Sequence, residues 1–359
     1  MPHLRWFWFC GLLLVLCACV SVSQNEQVSF EASALNAPMT PTTIPASPTP
    51  VEPSATPTLQ PTSTPTNTPT PVPTPDPVAG YRIPDLREQT YGEGAITIGE
   101  FWNNGASYTS YRITYPVDDL QLTGLIHIPN GNGPFPVIIA NRGYIEPERY
   151  QPGMDSRAFA DFMANRGYLV IAPDYRGYGG GDAGPNLFYT GYYADVLNLI
   201  PMAQQLPMAR EGQIGMWGHS RGASITVAAL TITDQIAAAV VYAPAPADLA
   251  VDYARRLGRE GAVDPGTWPF PPEQDPAAYA RISPINYFDA VDAPVMLHHG
   301  TNDSVVDVSA SVAIAEALRA AEKDVILHIY EGSGHTLTGE ADQRYLARTL
   351  EFFQTHMGQ

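Results

Sequence analysis

Between Gln24 and Pro77 the chain repeats Thr-Pro steps, as in Thr64-Pro65-Thr66-Asn67-Thr68-Pro69-Thr70-Pro71, and holds almost no large apolar residues. Such a tract buries too little surface to offset the entropy of ordering it, and its prolines favour extended polyproline II. The 359 residues, with their 35 prolines, therefore reduce to one folded unit. It runs from about Gly80 to the end, roughly 280 residues, large enough for a single well-buried core. Residues 23–79 read as a disordered Thr/Pro-rich linker, whose roughly 50 residues reach up to ~150 Å when extended.

Residues 1–22 read as a signal peptide, with Arg5 as a weak positive charge before an apolar run, Trp6 to Leu16, too short to span a bilayer comfortably. Leu16-Cys17-Ala18-Cys19 resembles a bacterial lipobox, which makes Cys19 the expected site of lipidation. Ordinary cleavage near Val22-Ser23 and an uncleaved anchor are the alternatives. Cys10, Cys17 and Cys19 are the chain's three cysteines, so no disulfide is expected in the folded part. The expectation is an exported protein, a cell-surface lipoprotein or a secreted one, that meets a membrane through its lipid anchor only. A formal charge of −17 argues against nucleic acid as a partner, because phosphates are neutralised by clustered Lys and Arg. The acidity reads as a solvated surface, with selection for cationic substrates as the functional alternative.

In the folded part, Ser107 to Tyr115 and Leu120 to Ile128 read as an antiparallel hairpin. Buried-looking strands follow at Val137–Ala140, Leu169–Ala172, Gln213–Trp217, Ile236–Tyr242, Val295–His298 and Val325–Tyr330. Helical patterns alternate with them at Ser156–Arg166, Tyr192–Leu206, Ser220–Leu230, Val308–Ala321 and Glu340–His356. That rhythm is the sign of a doubly wound, mostly parallel sheet, with reactive residues at the carboxyl ends of its strands. The less regular stretch Pro244 to Asn286, holding Trp268-Pro269-Phe270-Pro271-Pro272, is expected to lie over that edge as a small cap and to offer it an apolar wall.

Gly218-His219-Ser220-Arg221-Gly222 matches G-x-S-x-G and stands between an apolar strand and a small-residue helix. A tight turn there lifts a serine hydroxyl clear of the sheet and aims the helix N-terminus and the Arg221 N–H at a developing oxyanion. A serine needs a base held by a carboxylate. His335, in Gly332-Ser333-Gly334-His335, supplies the base, and Asp303, closing His298-His299-Gly300-Thr301-Asn302-Asp303, supplies the acid, with Asp307 as its rival. Tyr144, in the loop Asn141-Arg142-Gly143-Tyr144, is the expected second oxyanion donor. His298 and His299 point to opposite faces of a strand, so no metal is expected there. Gly179-Gly180-Gly181-Asp182-Ala183-Gly184 satisfies G-x-G-x-x-G but runs into Pro185 instead of a helix, so it reads as a turn and no nucleotide cofactor is expected.

With Ala172-Pro173-Asp174-Tyr175-Arg176-Gly177, Trp217 through Gly222, Pro294 through Asp303 and Tyr330 through His335, the chain resembles the α/β-hydrolase superfamily. Within it the chain is similar to the catalytic domain of the prolyl oligopeptidase family of serine peptidases, over roughly Val137 to His356. The resemblance implies catalytic roles for Ser220, Asp303 and His335. Family peptidases usually carry a β-propeller, for which the roughly 30 residues between linker and hairpin leave no room. The expected activity is hydrolysis of small carboxylic esters above that of short peptides, through an acyl-enzyme. The alternatives are a prolyl-oligopeptidase-like peptidase and a non-catalytic binding protein on a hydrolase scaffold. Asp or Cys at position 220 would have suggested a dehalogenase or dienelactone hydrolase.

Overall fold

The computed structural model describes residues 76–358; the expected signal peptide, Cys19 and nearly all of the linker lie outside the described residues. Among the described residues packing is already present at Asp76, ahead of the Gly80 boundary read from composition. Val78 is fully buried, and Asp76 pairs with Arg281 at 3.0 Å and Arg82 at 3.6 Å. A lone valine at the end of a proline tract has no periodic pattern to reveal it.

After the short helix α1 (Ile83–Arg87), three strands run antiparallel: β1 (Thr97–Asn104), β2 (Tyr108–Val117) and β3 (Leu120–Pro129). Asp118, at φ 52°, makes the β2–β3 turn. β1 was not foreseen. It is a mostly exposed edge strand with two register shifts, so its sequence lacks the alternation that marks a half-buried strand.

The remaining strands are β4 (Phe135–Asn141), β5 (Leu169–Pro173), β6 (Ala209–His219), β7 (Ala238–Tyr242), β8 (Val295–Gly300) and β9 (Val325–Tyr330). The sheet order among the described residues is β1-β2-β3-β5-β4-β6-β7-β8-β9, parallel from β5 to β9. Helices α2 (Arg157–Ala164), α3 (Thr190–Gln204), α4 (Arg221–Ile232), α5 (Leu249–Glu260), α6 (Pro276–Ile282), α7 (Ser309–Ala320) and α8 (Gly339–Met357) lie between and after the strands.

Strand periodicity divides the core in two. Ile139, Ile171, Met216, Val241 and Leu297 pack with residues of α3, α4 and α7. Their neighbours Ile138, Val170, Trp217, Val240 and Met296 face Phe159 and Met163 of α2 and Phe352 and Phe353 of α8. The doubly wound, mostly parallel reading therefore holds, and every strand from β4 to β9 falls where the apolar runs placed it.

The irregular stretch is more ordered than its prolines suggested, because it contains α5 and α6. Asp248 caps α5 by accepting the N–H groups of Ala250 (2.9 Å) and Val251 (3.3 Å), and Gly261 ends it at φ 73°. Its Arg-rich sequence concealed it, since only Leu249 and Asp252 are buried.

Candidate active site

β6 ends at His219 and α4 begins at Arg221, leaving Ser220 alone in the turn at φ 54°, ψ −118°. A β-carbon on Gly218 would come within 2.3 Å of Gly222 O, and one on Gly222 within 2.0 Å of Asn141 O. The two glycines are thus required by close approach of strand, helix and neighbouring loop, and the positive φ falls on the serine itself. The Ser220 N–H donates to Tyr242 O at 2.9 Å, which fixes the turn to β7. Arg221, in the first turn of α4, has an N–H with no intrahelical acceptor.

His335 lies between β9 and α8, and its Nδ1 is 2.6 Å from Asp303 Oδ2. The Asp303 side chain is buried and accepts three further bonds: from His299 Nε2 (3.0 Å), Val305 N–H (2.8 Å) and Val306 N–H (2.9 Å). Burial works to raise its pKa, but the bonds from His299, His335 and Val306 outweigh burial and hold the carboxylate well below its ordinary range. Asp303 is therefore ionised and saturated. Asp307, the rival, accepts the Ser309 N–H at 2.9 Å before α7 and has no bond to His335. Of the three residues singled out from the sequence, Asp303 and His335 are bonded to each other, and Ser220 lines the same cavity as His335.

The loop after β4 reaches the same place. Its Gly143 N–H donates to Asp155 Oδ2 at 2.6 Å, which leaves the N–H of Tyr144, a residue lining the cavity, as the next donor in the loop. Arg142 stiffens it from behind. Its guanidinium, buried among the rings of Tyr178, Tyr150 and Tyr175 at 4.0, 4.3 and 4.8 Å, donates to Gly143 O (2.8 Å) and Asp174 O (2.6 Å).

The family model for the prolyl oligopeptidase family matches residues 155–359. The chain belongs to the prolyl oligopeptidase family. A relative from Bacillus subtilis (strain 168), "Uncharacterized peptidase YtmA", is 25% identical over 247 residues, which cover 68% of this chain and 93% of the relative. Among solved structures, Pyrococcus horikoshii acylaminoacyl peptidase superposes with a TM-score of 0.61 at 21% identity. The match covers 71% of this chain and 43% of that one, so this chain spans less than half of that peptidase's length. Acetyl xylan esterase 1 from Thermoanaerobacterium sp. JW/SL YS485 gives a TM-score of 0.58 at 17% identity, over 79% of this chain and 94% of the esterase. These likenesses establish the α/β-hydrolase fold, and family and fold together make this a serine hydrolase acting on peptides or esters.

Two features of this family member were not found from the sequence. His299 was weighed only as a metal ligand. Its ring bridges Ser311 Oγ (2.7 Å) and Asp303, while His298 on the other face meets the Tyr330 hydroxyl at 2.9 Å. Among the described residues no cluster of His, Cys, Asp and Glu could hold a metal ion.

The second is a pair formed by Asp155 and His219. His219 Nδ1 lies 2.9 and 3.0 Å from the two Asp155 oxygens, and its Nε2 lies 3.1 Å from His335 O. Both ring nitrogens face acceptors, so both carry hydrogen. Burial works to lower the His219 pKa, but the Asp155 charge and hydrogen bond raise it overall; burial works to raise that of Asp155, and His219 brings it down. The x of G-x-S-x-G carries no motif signal, and its partner stands 64 residues away.

The cavity, about 910 Å³ in volume, has a mixed lining where a compact apolar wall was expected, with Trp268, Val263, Val305 and Val306 beside charged groups. α5 brings Arg255, Arg256 and Arg259 to it, joining Arg176 and Arg221, while Phe270 is not in its lining. Trp268 lines it but is nearly buried, stacked on Tyr279 and edge-on to Tyr189 and Phe188. The cap's aromatic residues hold the cap to the body, and its arginines face the site.

Proposed function

We propose that this serine hydrolase forms its acyl-enzyme on Ser220. His335 Nε2 takes the hydroxyl proton as Ser220 Oγ attacks the carbonyl carbon, and then gives it to the departing amine or alcohol. Water attacks the acyl-enzyme in a second round through the same histidine. Asp303 keeps hydrogen on His335 Nδ1 and stabilises the imidazolium, while the Arg221 and Tyr144 N–H groups receive the oxyanion. The observation that carries this reading is Ser220, alone at positive φ on its turn, sharing a cavity with a histidine whose other nitrogen is bound to a saturated carboxylate. A fluorophosphonate should label Ser220, and Ser220→Ala should lose roughly a million-fold in turnover. An adduct mapped elsewhere by mass spectrometry would refute the assignment.

Short peptides are the favoured substrates. The preference for esters rested partly on an apolar cap wall, and a lining of arginines, tyrosines and Asn186 suits the polar groups of a peptide better. The deciding measurement is kcat/KM for an ester and an amide that share one acyl group. Equal or better use of a short peptide relative to its leaving-group difference supports the peptidase; peptides left uncleaved while simple esters turn over make it an esterase.

The chain is further proposed to be exported and lipidated at Cys19, supported by the apolar run before Leu16-Cys17-Ala18-Cys19 and the Thr/Pro tract after it. Cys19→Ser should abolish metabolic labelling by fatty acid.

A further inference from the structure

A chain of net charge −17 with nineteen basic residues places five arginines around one cavity. Their states differ. Arg176 is used inside the protein, donating through Nε (2.9 Å) and Nη2 (2.7 Å) to the buried Asp195. Arg255 and Arg256 share a single buried carboxylate, Asp252, at 2.6 and 3.0 Å, and Arg256 Nη1 also lies 3.8 Å from Glu260. Arg259 pairs with the exposed Glu260 at 2.7 Å. Three carboxylates also line the cavity, Glu146, Glu260 and Asp264; Glu146 accepts from the Tyr144 hydroxyl and Asp264 from Gly266 N–H and Thr267 Oγ1, neutral donors that leave both charges in place.

Arg221 is the exception. None of its N–H donors has a protein acceptor among the described residues, and its Nε is shielded from solvent as well. No carboxylate pairs with it. The guanidinium is held by rings alone, 4.1 Å from the centroid of Tyr189 and 5.5 Å from that of Tyr144. Arg256 lies over the same Tyr189 ring at 5.3 Å. Tyr189 is itself fixed, packed edge-on against Trp268 and lying in left-handed backbone beside Phe188 (φ 64° and 50°). Two consecutive non-glycine residues in that region cost free energy, and they persist where surrounding contacts hold them. The product is a rigid aromatic plate carrying two guanidiniums, one of them on the residue next to Ser220.

An unpaired guanidinium against low-dielectric walls, with its donors unmet, is matched by a planar acceptor that takes two parallel N–H bonds. The negative charge of the distant surface is screened beyond a Debye length of about 8 Å, and among the described residues none of the three lining carboxylates comes within 4 Å of the Arg221 guanidinium. We infer that the enzyme selects substrates that carry a carboxylate close to the scissile carbonyl, bound by Arg221 and Arg256 over Tyr189. This rests on Ser220 being the nucleophile.

The test uses two matched pairs of substrates. Succinyl-Ala-Ala-4-nitroanilide against its acetyl counterpart varies charge on the acyl side. The butyryl ester of 4-hydroxybenzoate against that of methyl 4-hydroxybenzoate varies it on the leaving group. The anionic member of at least one pair should be favoured roughly tenfold to hundredfold in kcat/KM, as expected for hydrogen bonds between charged groups, and the responding pair shows on which side the carboxylate sits. Arg221→Met and Arg256→Met should each pull that ratio toward one, and Arg221→Lys should keep part of it. Because the ratio is taken within one variant, a loss of folded protein cancels. Ratios near one in an actively turning-over wild type, or a full preference in both Met variants, overturn the inference while an inactive Ser220→Ala leaves the nucleophile standing. Undiminished turnover by Ser220→Ala overturns the nucleophile and the inference with it.

Discussion

His335 is gripped from two sides by aspartate–histidine clusters built from the same residue types. On one side Asp303, with His299 behind it, holds the ring through Nδ1. On the other Asp155, with His219, holds the backbone, since His219 reaches the His335 carbonyl and Asp155 takes the Gly143 N–H of the loop after β4. The first cluster holds Nδ1, the ring nitrogen opposite the one that exchanges the proton in the proposed reaction. The second bonds only to peptide groups, although the His219 ring packs 4.8 Å from that of His335, and it ties the candidate base loop to the candidate oxyanion loop. A carboxylate beside a histidine is therefore not itself a sign of chemistry; what it holds decides.

Exchange of the two acids should separate them most sharply. Asp303→Asn should lose on the order of ten-thousand-fold in kcat, because an amide favours the wrong tautomer of His335, whereas Asp155→Asn should lose up to roughly a hundredfold through a loosened oxyanion loop. Steady-state kinetics on one ester check both, and equal losses would erase the distinction.

The pH dependence of stability should distinguish the clusters next. The His219 pKa is raised in the folded state, so its contribution is full below the ordinary value of 6.5 and is lost as pH rises through the raised one. Asp155 is lowered from 3.8, so its part is full above that value and lost as pH falls through the lowered one. Urea melts should show stability declining on the alkaline side, and His219→Asn should flatten that limb. Asp303 has an acid limb only, being lowered from 3.8. His299→Asn removes one of its donors and should move that limb to higher pH.

The smallest effect is expected at Asp307. Its Oδ1 accepts the Ser309 N–H, and asparagine keeps that acceptor, so Asp307→Asn should change stability by less than about 0.5 kcal/mol and leave kcat unaltered. An inactive Asp307→Asn beside an active Asp303→Asn would move the acid.

The folded boundary offers a separate check. A chain cut to begin at Asp76 keeps the Arg281 pair and the burial of Val78. One beginning at Gly80 should be less stable by about 1.5 kcal/mol or more, the worth of a fully buried valine.

Much of this was legible locally. Apolar runs such as Val137 to Ala140 lie buried on both faces of a parallel sheet, and the chain order Ser220, Asp303, His335 belongs to residues that follow β6, β8 and β9. Period, glycine sterics and strand-end position are properties of neighbouring residues, so a linear sequence displays them. It did not display β1, whose edge position removes the need for alternation, nor α5, whose arginines mask its helical face.

What the sequence determined by itself was the doubly wound sheet and the strand–Ser220–helix turn, and it named the candidates Ser220, Asp303 and His335. Tertiary structure alone decided what surrounds them. Asp155 meets His219 across 64 residues and His219 meets His335 across 116. Arg256 shares the Tyr189 ring with Arg221 only because α5 folds over the strand ends. Charge and hydrogen-bond complementarity act through space within a few ångströms, and separation along the chain says nothing of such distances until packing has set them.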